Sequence, residues 1–96
     1  MTVYVFSRLI VEDADKFGEY IGMALPTIAA HGGRLIAADN DVQILDGEWA
    51  GGRTVMVEFD SSEDAHAWFS SAEYQIAAEV RRSCSYGEMV LVAGAG

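Results

Sequence analysis

The chain has 96 residues, 51% of them hydrophobic, with 15 acidic against 6 basic side chains and a formal net charge of −9. That balance lacks the basic footprint needed by a nucleic-acid partner or an anionic membrane surface, and no apolar run nears the roughly 20 residues of a membrane span. The single cysteine, Cys84, excludes an internal disulfide and fits a reducing compartment, so the cytoplasm is the expected location.

A chain of this length reads as one domain, residues 1–96, able to bury roughly 60–70% of its unfolded surface. So large an apolar fraction in so small a body predicts that part of it is buried between subunits. The opening, MTVYVFSRLIVED, does not read as a signal peptide, because Arg8 breaks the apolar stretch and no small-residue cleavage site follows.

Residues 2–11 are rich in Val, Ile, Tyr and Phe and predict a strand. Val3, Val5, Ser7 and Leu9 share one face and Tyr4, Phe6, Arg8 and Ile10 the other. Both faces are mostly apolar, so helices are expected on one side and a second subunit on the other. Asp13 can cap a helix running to about His31, with Phe17, Tyr20, Ile21, Ala24 and Ile28 on one stripe. Pro26 is expected to kink or divide that helix, and Gly32-Gly33 to end it.

Residues 34–38 predict a second strand, Asp39-Asn40-Asp41 a turn, and residues 42–46 a stretch that extends or re-enters the sheet. GEWAGG at 47–52 is a loop, and residues 53–59 are a strand. Ser61 with Asp64 forms a capping box opening a helix whose stripe is Ala65, Trp68 and Phe69. Ser70 with Glu73 can cap a restart that places Tyr74, Ala77, Ala78 and Arg81 on one face. Residues 86–93 are the last strand. The order βαββαβ predicts an α+β, ferredoxin-like antiparallel sheet with helices on one face and a bare apolar face that seeks an identical partner.

The segments PTIAAHGGRLIA at 26–37, ILDGEW at 44–49, GRTVMVEF at 52–59 and AWFSSAEYQ at 67–75 are similar to those of the domain-of-unknown-function 1330 family, within the dimeric α/β-barrel superfamily. The resemblance spans nearly the whole chain. It implies a ferredoxin-like subunit and a homodimer with face-to-face sheets. Relatives in the superfamily include cofactor-free monooxygenases of aromatic polyketides, small lactone isomerases and haem-dependent enzymes.

Several groups could carry chemistry. His31 can act as a general acid or base, or simply cap the helix C-terminus. Arg53, with Val55, Val57 and Phe59, is expected to face the helices, where it could hold a ligand carboxylate or form an edge ion pair. Glu58, with Thr54 and Met56, is expected on the opposite face as a desolvated base or a paired carboxylate. Arg8 needs a partner if buried, and Glu58 is a candidate. Trp68, Tyr74, Tyr20, Phe69 and Phe17 line an aromatic pocket or pack as core, while Cys84 and His66 carry no evident role. Two isolated histidines and one cysteine give no metal-ligand spacing, and GEWAGGR lacks the lysine of a phosphate-binding loop.

The function expected is therefore a small homodimer, with no cofactor, acting as an enzyme or binder of a small, partly apolar or anionic ligand between helices and sheet. Catalytic candidates are His31 and Glu58; ligand-binding candidates are Arg53, Tyr74, Trp68 and Tyr20. A structural or regulatory dimer without catalysis is the alternative.

Overall fold

In the computed structural model, which describes residues 1–96, the alternation in the first strand matures into β1 (Val3–Val11), followed by α1 (Ala14–Ala30) and β2 (Arg34–Asp39). Then come β3 (Arg53–Phe59), α2 (Ser62–Ser70), α3 (Ala72–Cys84) and β4 (Ser85–Ala93). The strands form one antiparallel sheet in the order β2-β3-β1-β4. This is the ferredoxin-like α+β arrangement, drawn out as a slab of 33 × 32 × 16 Å.

The central strand fixes the layers. Val3, Val5, Ser7 and Leu9 are buried, whereas Tyr4, Phe6, Arg8 and Ile10 are half-buried. Register extends the division across the sheet: Val5 lies between Val57 and Leu91, and Ser7 between Val55 and Met89. Phe17, Tyr20, Ala24 and Ile28 of α1, Ala65 and Trp68 of α2, and Tyr74, Ala77 and Ala78 of α3 close over that face. Burial of such side chains is worth about 1.5–3 kcal/mol each for the larger ones and dominates the stability of the slab.

Local signals set the helix ends. Asp13 accepts from the Lys16 amide at 3.1 Å and caps α1. At the other end the Gly33 and Gly32 amides donate to the Ile28 and Ala29 carbonyls, with Gly32 at φ 76°, a conformation that costs glycine little. Gly33 also has to be a glycine for packing, because a Cβ there would sit 2.6 Å from the Phe59 ring.

Five expectations require correction. α1 is not divided at Pro26 but runs through it. Pro26 and Gly22 both face solvent, so water can serve the carbonyl that the proline leaves without a donor. Residues 42–46 form no strand. Asp39 accepts from the Asp41 amide at 2.8 Å, and this side-chain turn carries the chain off the sheet edge, leaving Leu45 98% exposed. The restart is capped by Ser71, not Ser70: Ser71 accepts from the Tyr74 amide while its hydroxyl donates to the Trp68 carbonyl at 2.7 Å. Ser70 is already spent inside α2, donating to the His66 carbonyl. Phe69 leaves the apolar stripe and is 38% exposed.

The fifth correction concerns Arg8. It grips Glu88, its register neighbour on β4, through two contacts of 3.0 Å, and donates to the Gly51 carbonyl at 2.8 Å. Glu58 lies on the other flank of β1, where Arg34 takes it at 2.8 Å and bridges to Asp60 at 2.8 Å.

Candidate functional site

A small apolar cleft of about 60 Å³ opens between α1 and the sheet. The helical spacing of Phe17, Tyr20, Ala24 and Ile28 supplies its roof, and the inward positions of β1 and β3, among them Ser7, Val55 and Val57, supply its floor. Leu25 and Leu35, both exposed, stand at its mouth.

Arg53 is the one charged group in the lining. It opens β3 on the helix-facing side, as the alternation of that strand requires. Its guanidinium lies 5.9 Å from the centre of the Phe17 ring, and Nη1 donates to Asn40 Oδ1 at 2.9 Å. Its Nε is buried and meets no acceptor. A buried donor without a partner costs about 1–3 kcal/mol, so this position favours any acceptor that reaches it.

The back wall is an aromatic cluster. Trp68 stacks on Tyr74 at 4.1 Å between centroids and on Phe59 at 5.5 Å. Its indole Nε1 donates to Thr27 Oγ1 at 3.0 Å, and that hydroxyl donates onward to the Ala24 carbonyl. The ring is thereby held at both an edge and a face. The hydroxyls of Tyr20 and Tyr74 meet at 2.9 Å, and Tyr74 reaches towards Met89 Sδ at 4.0 Å. Burial, reinforced by the neighbouring Tyr74, pushes the Tyr20 phenol well above its ordinary range, so it is a neutral hydrogen-bonding group.

The structure thus gathers Arg53, Tyr20 and Trp68 at one cleft, with Tyr74 bonded behind Tyr20. His31 and Glu58 are elsewhere. His31 caps α1, and its Nδ1 donates to the Thr27 carbonyl at 2.9 Å. Glu58 is on the opposite sheet face, tied to Arg34, whose own pKa is raised first by Asp60 and then by Glu58. Burial raises the Cys84 thiol, which makes it a poor nucleophile. No group of three His, Cys, Asp or Glu side chains is placed to hold a metal ion.

Sequence reasoning passed over Ser7, Met89 and Asn40. The first was visible as a hydroxyl at an inward position of an apolar strand. Asn40 and Met89 depend on contacts between distant segments, for which the local pattern holds no signal.

Several solved structures are similar in shape and share little sequence. A protein of unknown function from Rhodopseudomonas palustris superposes with a TM-score of 0.82 at 11% identity, covering 99% of this chain and 83% of the other. SnoaB, a cofactor-independent oxygenase from Streptomyces nogalater, gives 0.71 at 14% identity, covering 99% and 94%. A de novo designed protein gives 0.63 at 15% identity, covering 98% and 99%. At these identities the likeness shows the fold alone and says nothing of activity. No curated protein matches the chain. The family model described as Domain of unknown function (DUF1330) matches residues 2–95.

Proposed function

Because the chain belongs to the DUF1330 family, whose description names no reaction, we propose from the cleft itself that it is a homodimer binding a small, mostly apolar anion between α1 and the sheet. The observation that carries this reading is the buried, partnerless Nε of Arg53 in an otherwise apolar lining. A carboxylate there gains a charge-assisted hydrogen bond where water is scarce, and the aromatic wall accepts the apolar body. The cleft is small beside the 150 Å³ cavity that accommodates benzene, so entry requires the two leucines of the mouth to swing aside.

Binding rather than turnover is the part supported. His31 and Glu58 do not line the cleft, and each is already engaged. Homodimerisation is supported by the open sheet face, where Tyr86, Val90 and Val92 are 59%, 48% and 47% exposed. A second copy of the same face, stacked about 10 Å away, would remove them from water.

Thermal unfolding in the presence of hexanoate and of uncharged 1-hexanol tests the site. The acid should stabilise the wild type more than the alcohol does, and Arg53→Gln should abolish the difference. Equal shifts from acid and alcohol would remove the role assigned to Arg53. No shift from either would favour the alternative of a structural or regulatory dimer, to which the small size of the cleft also points.

A further inference from the structure

A second hollow, of about 250 Å³, lies between α2 and the edge strand β4. It is walled by Ala65, Phe69, Val90 and Leu91, with His66 as its polar member. It shares Val5, Trp68 and Met89 with the Arg53 cleft, so the two hollows stand back to back across three side chains.

Those three differ in how firmly they are held. Val5 is a β-branched residue of the central strand, buried between Val57 and Leu91. Trp68 is buried, stacked and hydrogen-bonded to Thr27. Met89 is half-buried and unbranched, with one weak polar contact to Tyr74 at 4.0 Å. A thioether chain with three rotatable bonds adapts easily to its surroundings. Met89 is the movable part of the partition.

We infer that the two hollows are one divided site for a straight-chain monocarboxylate, with the head at Arg53 and the tail passing Met89 to end between α2 and β4. The inference rests on the anion-binding reading of the cleft and adds the class of ligand. The lining excludes sugars and polyols, since 13 of 15 residues in the cleft and 7 of 8 in the second hollow are hydrophobic. A single cation suits a single carboxylate. The two hollows are separate in this structure, so a tail must displace Met89 to join them, which favours the narrowest apolar body, a methylene chain, over fused rings. Two strand spacings and four residues separate Arg53 from Leu91 on this face, a diagonal of about 16 Å, which a medium-length acyl chain spans.

Titration calorimetry with butyrate, hexanoate, decanoate and dodecanoate, below their micellar concentrations, tests the inference. Affinity should continue to rise beyond hexanoate, by up to about fourfold per added methylene. Met89→Phe should weaken dodecanoate at least tenfold more than it weakens hexanoate. Leu91→Trp, which fills the second hollow from an exposed position, should do the same without altering any of the three shared residues. A plateau after hexanoate, or equal losses for short and long acids in both variants, would overturn the divided site while leaving Arg53-dependent binding of hexanoate intact. Failure of every acid to bind would remove the underlying reading as well.

Discussion

The two faces of the sheet are made by the same strands and are finished in opposite ways. Under the helices, Val3, Val5, Leu9, Val57 and Phe59 are sealed, and the polar atoms admitted there are mostly hydroxyls and an indole that satisfy one another. The open face carries Tyr4, Phe6, Ile10, Val90 and Val92 beside two charge pairs, Arg8–Glu88 and Arg34–Glu58. Apolar alternation therefore marks strands on both faces alike. What distinguishes them is how their charges are answered. Ion pairs beside solvent neutralise one another, whereas Arg53 on the covered face keeps a donor unanswered. That asymmetry is the reason the proposed ligand is assigned to the space under the helices and the proposed partner subunit to the other side.

The sharpest break of this contrast is Trp68→Ala. It should cost about 3–5 kcal/mol of unfolding free energy, read as a lowered urea midpoint, because the indole fills the covered face and its cavity cannot collapse. A loss below about 1 kcal/mol would mean that the helices do not seal the sheet as described.

On the open face, Val92→Glu should shift the sedimentation equilibrium at least tenfold towards monomer, since a stacked sheet would have to bury an unpaired carboxylate. Unchanged sedimentation would locate the subunit contact elsewhere.

Tyr20→Phe comes next, at about 1–2 kcal/mol, from the partner lost to the buried Tyr74 hydroxyl. The same residue sets a pH dependence. Its folded pKa lies above the ordinary 10.0, so the folded state holds its proton more tightly than the unfolded chain. The resulting stabilisation is complete below about pH 10 and declines as the pH rises beyond it. Urea midpoints between pH 9 and 11.5 should fall less steeply in Tyr20→Phe than in the wild type; parallel curves would dissociate Tyr20 from the alkaline loss.

The smallest effect belongs to the surface. A double-mutant cycle on Arg8 and Glu88 should give a coupling of about 0.2–1 kcal/mol, shrinking with added salt. A value above about 2 kcal/mol would show that the pair is desolvated, as a covering subunit would make it.

Much of this was legible from local pattern. Alternation assigned both faces of β1 and β3, including the inward position of Arg53 and the outward one of Glu58. Asp13 and Ser61 announced their helices because a cap is a contact over three residues. The errors fall where two local rules compete or where the deciding partner is distant. Ser70 and Ser71 are both plausible caps, and only the carbonyl left open at Trp68 selects the second. Arg8 had two flanking strands to choose from, and register alone awards it Glu88. Residues 42–46 have strand-like composition, but the turn at Asp39–Asp41 carries them away from the sheet. The cleft shared these limits. Tyr20, Tyr74 and Trp68 were visible as aromatics, while their mutual hydrogen bonds and the unmet Nε of Arg53 arise only when segments far apart in sequence come together.

The placement of β1 also governs how the protein is made. Val3 pairs with Phe59 on one side and with Ala93 on the other. At roughly 5–20 residues per second, the last of these partners leaves the ribosome about 5–18 s after the first strand. For that interval an oily strand has one or both backbone edges open, and only completion of the final strand ends its vulnerability to neighbouring nascent chains.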